Sequence, residues 1–172
     1  MIIDSHTHAW RRWPYQPPVP DPDSRGLVEQ LLWEMDRQQV DKAVLVCARI
    51  DHNPDNNDYV AECIAKYPNR LVQFADVDCS WSATYHTPGA ANRLEQAADQ
   101  YHLKGFTHYL KSDAEWFASE EGLAFFAKAA ERKLIASLAL GPQWQPALRI
   151  LAKRFPTVPF LCHHMAGARL GQ

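Results

Sequence analysis

Two histidines stand two residues apart near the start of the chain, at the end of the apolar run Ile2-Ile3-Asp4-Ser5-His6-Thr7-His8. In a β-strand such residues share a face, about 6 to 7 Å apart along the chain. Two neutral imidazoles at that spacing can grip one divalent metal or one substrate oxyanion and leave room for water. Asp4 shares their face one step deeper, either as the acceptor that fixes an imidazole tautomer or as a bond to nearby backbone. A second apolar run, Pro159 to Cys162, ends in His163-His164. Alternation points these two to opposite sides, so only one can face a common site, and periodicity does not choose between them.

Other strand ends carry candidates for substrate binding. Arg49 closes the run Lys42 to Ile50, where a guanidinium can clamp a carboxylate through two parallel hydrogen bonds. His108 and Tyr109 close Leu103 to Leu110 and point opposite ways, so at most one lines a site. Asp76 and Asp78 read as turn or cap residues, His102 as a helix-end or surface residue, and His52 and His86 show no partner in the sequence.

Positioning these groups requires strands with helices between them. Strands are expected at 2–8, 42–50, 71–77, 103–110, 134–140 and 158–162, and helices at 25–39, 59–67, 90–101, 120–133 and 145–155, in strict alternation. Ser24 is the expected N-cap of the first helix, whose stripe is Leu27, Val28, Leu31, Leu32 and Met35. The Pro-rich stretch from Trp13 to Pro22 is expected to be the first strand-to-helix loop, with Trp10, Trp13 or Tyr15 over the site. Alternation of this kind builds a parallel sheet, and the glycine-rich first turn of a dinucleotide binder is absent. The expected fold class is α/β, a (β/α)8 TIM barrel of which about six βα units lie in these residues.

At 172 residues with 47% hydrophobic content, one domain with a sizeable core is affordable. Eighteen Lys and Arg against 20 Asp and Glu leave a formal net charge of −2. No long run of one sign occurs, so neither a nucleic-acid nor a membrane partner is expected. Cys47, Cys63, Cys79 and Cys162 form no paired zinc-ribbon motif, and the N-terminus lacks a basic stretch before a long apolar one. A reduced, cytoplasmic protein acting on a small molecule is expected, with self-association into a homo-oligomer left open.

With Asp4-Ser5-His6-Thr7-His8, Leu103-Lys104-Gly105-Phe106 and His163-His164-Met165-Ala166-Gly167, the chain resembles the metal-dependent hydrolases of the amidohydrolase-related group (amidohydrolase 2). The last motif looks like that family's Asp-His-Met-Gly strand end, which puts His164 in the functional position. The resemblance implies one Zn²⁺ held by His6, His8, His164 and a later aspartate of strand eight. It implies hydrolysis at a carbonyl or, in a sister branch, Zn-dependent decarboxylation. The tip of strand five, Leu138 to Pro142, offers no histidine or lysine ligand. That resembles the lactonase-like branch acting on small carboxylated lactones, some members of which work without a tightly held metal. In that case His6, His8 and His164 would stabilise an oxyanion, and a carboxylate would activate water.

A barrel of this kind typically needs about 250 residues. The single domain at 1–172 is therefore expected to be truncated after strand six and to belong to a longer protein. A non-catalytic remnant or binding module is the expectation from outside the enzyme class.

Overall fold

The computed structural model describes residues 1–16 and 18–167; Pro17 of the Pro-rich loop lies outside the described residues. The chain forms two compact units, Met1–Asp76 and a second that begins at Val77. Among the described residues no helix is long and apolar enough to cross a membrane.

The first unit holds β1 (Ile3–Thr7), α1 (Val28–Arg37), β2 (Lys42–Val46), α2 (Asn56–Lys66) and β3 (Leu71–Asp76). β1 pairs parallel with β2, and β2 with β3 through Ala43 opposite Leu71 and Val46 opposite Phe74. Ala43, Leu45 and Cys47 bury against Val28 and Met35 of α1 and Val60 and Cys63 of α2. Burying an aliphatic side chain of this size contributes about 1.5–3 kcal/mol, so this shared core outweighs any one surface contact.

Both helices of this unit begin where tertiary contacts put them. α1 starts at Val28 with Leu27 in the cap position and no side-chain cap. The Tyr59 hydroxyl accepts from the Val28 N–H at 2.9 Å, and Ser24 instead bonds Asp21. α2 starts three residues before the expected Tyr59 because a run of asparagines is used as backbone glue. Asn56 accepts from Ala48 N and donates to Ala9 O, while Asn57 does the same with Asp76 N and Asp76 O. These amides saturate strand-end groups that would otherwise be buried without partners.

The second unit holds α3 (Ala90–Tyr101), β4 (Gly105–Tyr109), α4 (Glu120–Glu131), β5 (Ile135–Ala139), α5 (Gln145–Arg154) and β6 (Phe160–Cys162). β4, β5 and β6 pair parallel in that order. Its core is aromatic, with Phe106, Phe125 and Phe126 packed edge to face at 5.2–5.3 Å and Phe117 against Trp144 at 4.9 Å. The strand–helix alternation is the βα repeat of a TIM barrel, with six strands and five α-helices among the described residues.

One turn that sequence periodicity does not announce, Ala114–Ala118, precedes α4. Ser119 ends it and caps α4 by accepting from Gly122 N at 3.1 Å. Replacing Ser119 by alanine is expected to lower stability by about 1 kcal/mol in urea unfolding. Gly122 lies so close to the Trp116 carbonyl that a Cβ there would overlap main chain. Gly122→Ala is therefore expected to cost about 1–3 kcal/mol in the same measurement, because the turn itself must shift.

Candidate active site

In the first unit the candidate chemistry sits at the end of β1. Between Asp4 and Thr7 the register with β2 slips by one residue, a bulge of the kind that re-aims side chains. The Asp4 carboxylate accepts from the His6 backbone N–H at 3.0 Å, so of its two readings the backbone bond is the observed one. The His6 and His8 rings meet edge to face, with centroids 5.1 Å apart.

His8 Nδ1 lies 2.7 Å from the Val46 carbonyl oxygen. A carbonyl can only accept, so Nδ1 carries the proton and the lone pair of the neutral ring is on Nε2. That tautomer suits a metal ligand or a base; a neutral His8 cannot donate to an oxyanion through Nε2. Trp10 stacks on His8 at 5.3 Å and Tyr15 meets it edge-on at 6.4 Å. Beside them lies a cavity of about 280 Å³, lined by His8, Trp10, Trp13, Tyr15, Arg25 and Leu31 among others. Burial pushes the Tyr15 hydroxyl above its ordinary pKa, keeping it neutral. Gly26 permits this packing, since a Cβ there would stand 2.8 Å from the Trp10 Cβ.

Arg49 lies exposed just beyond β2. Its backbone N–H donates to the Asp76 carboxylate at 2.7 Å and its Nε to the Pro54 carbonyl at 2.9 Å, which fixes the stem of the side chain.

In the second unit β4 sends alternate residues to opposite sides. Thr107 and Tyr109 meet His163: its Nε2 lies 3.5 Å from Thr107 Oγ1 and 2.8 Å from Ser137 Oγ, and the Tyr109 ring stands edge-on at 5.1 Å. β6 ends at Cys162, and His164, Met165 and Ala166 adopt left-handed φ values of 48°, 53° and 54°. The two histidines therefore lie beyond the strand, where alternation no longer sets their directions. His163 is buried and His164 exposed.

His108 faces the other side, wholly buried, with Nδ1 3.0 Å from the Val77 carbonyl and Nε2 3.1 Å from His86 Nε2. Burial pushes its pKa down to about 4 from 6.5. As pH falls below 6.5 the unfolded chain takes up a proton that the folded chain refuses until about 4. Stability is thus full above that window and declines through it, by about 3 kcal/mol in all at about 1.4 kcal/mol per pH unit. A urea-unfolding series in His108→Asn should show a flatter acid limb than the parent protein.

His86 and Asp113 escape sequence reasoning. His86 Nδ1 lies 2.5 Å from Asp113 Oδ2, Tyr85 donates to Asp113 Oδ1 at 2.7 Å, and Trp116 stacks flat on His86 at 3.8 Å. These residues come from two different strand-to-helix loops, and no local spacing signals their meeting. The one available hint was that each lies shortly after a strand end, where barrel sites are built.

Among the described residues no three His, Cys, Asp or Glu side chains form a ready ligand set. The His6–His8 pair, with the His8 tautomer fixed by Val46, fits two ligand positions of a divalent metal.

The comparisons with known proteins bear on the fold and the family. No curated protein matches the chain. Among solved structures it is similar to a probable 2-pyrone-4,6-dicarboxylic acid hydrolase from Acinetobacter baumannii with citric acid bound. Identity is 18%, with 94% of this chain and 57% of that one covered at a TM-score of 0.66. It is also similar to a 4-oxalomesaconate hydratase from Rhodopseudomonas palustris (19%; 98% and 64%; 0.66). A third is a dihydroxybenzoic acid decarboxylase from Polaromonas with bound manganese and the inhibitor 2-nitroresorcinol (20%; 96% and 66%; 0.65). At these identities the likeness is one of fold, and the chain spans less than two thirds of the length of these first two structures. The amidohydrolase family model matches residues 3–171. With nearly its whole length matched, the chain belongs to the amidohydrolase family.

Proposed function

We propose that this protein is a hydrolase that opens a small carboxylated lactone or cyclic ester, using a divalent metal held in part by His6 and His8. The observation that carries the reading is the Val46 carbonyl on His8 Nδ1, which makes Nε2 the lone-pair atom of the neutral ring, the state that ligation or base chemistry requires. The resemblance assigns the third ligand to His164. A divalent metal such as Zn²⁺, when bound, would supply Lewis-acid polarisation of the ester carbonyl. Trp10, Trp13 and Tyr15 keep water from the flank of His8 and offer flat surfaces to a conjugated ring. Arg49, its stem already fixed, is suited to a substrate carboxylate, where a planar fork gains from being preorganised. Tyr109, whose ring stands edge-on to His163, is the further candidate for substrate contact.

The fold is shared with a decarboxylase, a hydratase and a hydrolase, so reaction class must be read from products. The test offers the metal-loaded protein a panel of carboxylated 2-pyrones and hydroxybenzoic acids. Ring-opened acid without carbon dioxide is the expected result. Carbon dioxide from a hydroxybenzoic acid would select decarboxylation instead, and turnover of neither class would favour a non-catalytic binding module.

A further inference from the structure

The buried histidine chain of the second unit has a proton inventory that its neighbours dictate. Val77 O can only accept, so His108 Nδ1 carries a proton and the Nε2 of the neutral ring is a lone pair. His86 Nε2, 3.1 Å away, must then be the donor between the two rings. That leaves His86 Nδ1 facing Asp113 Oδ2 at 2.5 Å with one proton required between them. The ordinary neutral-histidine and carboxylate pair cannot satisfy both contacts. Without the shared proton, two bare imidazole nitrogens face each other or a bare nitrogen faces a carboxylate, and one hydrogen bond is lost. Burial, the largest influence on His86, disfavours an imidazolium there, and it equally disfavours a net negative trio. One proton shared with Asp113 keeps the trio neutral.

The chain of rings also ties a loop to a strand. The loop from Val77 to Gly89 touches the end of β4 at its start, where Tyr109 N donates to Cys79 Sγ, Ser80 N donates to Tyr109 O at 2.9 Å, and Trp81 packs on the Tyr109 ring at 4.7 Å. It is tied again near its far end by His86 to His108. His86 sits at φ 54°, a left-handed conformation that persists only where surrounding bonds enforce it. The Asp78 carboxylate supplies one by accepting from His86 N.

We propose that Asp113, His86 and His108 form a one-proton relay that clamps this loop to the end of β4 and so positions Trp81 and Tyr109. These are positioning residues: His108, on the face of β4 opposite Tyr109, acts behind it. The charged and titratable groups facing the relay are Asp78 with its partner Arg93, Glu115, Tyr85, and Lys111 above the Tyr85 ring. When the shared proton is lost to water, the bond between His86 Nδ1 and Asp113 goes with it and the clamp loosens. The use of Tyr109 in substrate binding rests on the function proposed above, whereas the clamp is measured without turnover, so the two can fail separately.

Asp113→Asn separates proton from shape. Its amide can donate to His86 Nδ1 while its oxygen still accepts from Tyr85, which preserves every bond without a proton shared with a carboxylate. Amide hydrogen exchange at Ser80 and His86, corrected for intrinsic rates, is followed in the full chain from mildly acidic to alkaline pH. Protection in the parent protein is expected to fall roughly tenfold, the scale of one lost hydrogen bond, and to stay level in Asp113→Asn. Parallel pH dependence in the two proteins, or none in the parent, overturns the proposal. Should Asp113→Asn not fold, histidine-selective ¹⁵N spectra of the parent decide: His108 protonated at Nδ1 is expected, and at Nε2 it overturns the relay.

Discussion

His8→Ala is expected to reduce bound divalent metal below one per chain and to lower turnover by roughly 10²- to 10³-fold, the scale for losing one electrostatic stabiliser of the transition state, here the metal it would help to hold. His6 and His8 stand ring to ring at 5.1 Å beside the bulge in β1, and the Val46 carbonyl fixes where the His8 proton resides. Alanine gives up the bond to Val46 O, about 1 kcal/mol, but keeps the backbone β1–β2 pairing and the Thr7 hydroxyl bond to Val44 O. A loss of activity should therefore come without a matching loss of stability. His8→Gln refines the test, because an amide can still donate to Val46 but is a poor ligand for a transition metal. It should fold like the parent and remain as inactive as alanine. Full metal content in both His6→Ala and His8→Ala, measured by elemental analysis, would remove the ligand assignment.

Asp78→Ala is expected to cost about 3–5 kcal/mol, the range for breaking a buried ion pair from one side. The Asp78 side chain is fully buried and accepts from Thr84 Oγ1, His86 N and Arg93 Nε at 2.9–3.1 Å. Arg93, so anchored, donates to the carbonyls of Thr84, Thr87 and Pro88 and thus ties the loop before α3 to the helix itself. Alanine would strand a half-buried guanidinium and release the left-handed backbone at Asp78 and His86 together. Asp78→Asn should cost less, since one oxygen can still serve Arg93 and Thr84 while the amide opposes His86 N. Urea midpoints of the three proteins check the order.

The strand–helix alternation was legible because parallel strands buried on both faces read as apolar runs, as Ala43 to Val46 does. Helix starts were less so. Ser24 has the chemistry of a cap, yet α1 begins where Tyr59, distant in sequence, reaches Val28. The His6–His8 pairing was legible because two-residue spacing usually means a shared face, although the bulge that refines it is invisible to periodicity. His163 and His164 stayed ambiguous for a physical reason: the strand ends before them, so alternation has no force there. The opposed directions of His108 and Tyr109 followed from the strand, whereas the His86–Asp113 partnership depends on two loops meeting and has no signature in either.

The metal role proposed for His8 requires its Nε2 lone pair to face the ion. Histidine-selective ¹⁵N spectroscopy during titration with Zn²⁺ or Mn²⁺ tests it most directly. The expected result is His8 protonated at Nδ1 before addition, with its Nε2 resonance shifted by Zn²⁺ or broadened by Mn²⁺ at one metal per chain. A His8 protonated at Nε2, or one whose spectrum ignores both metals, would contradict it.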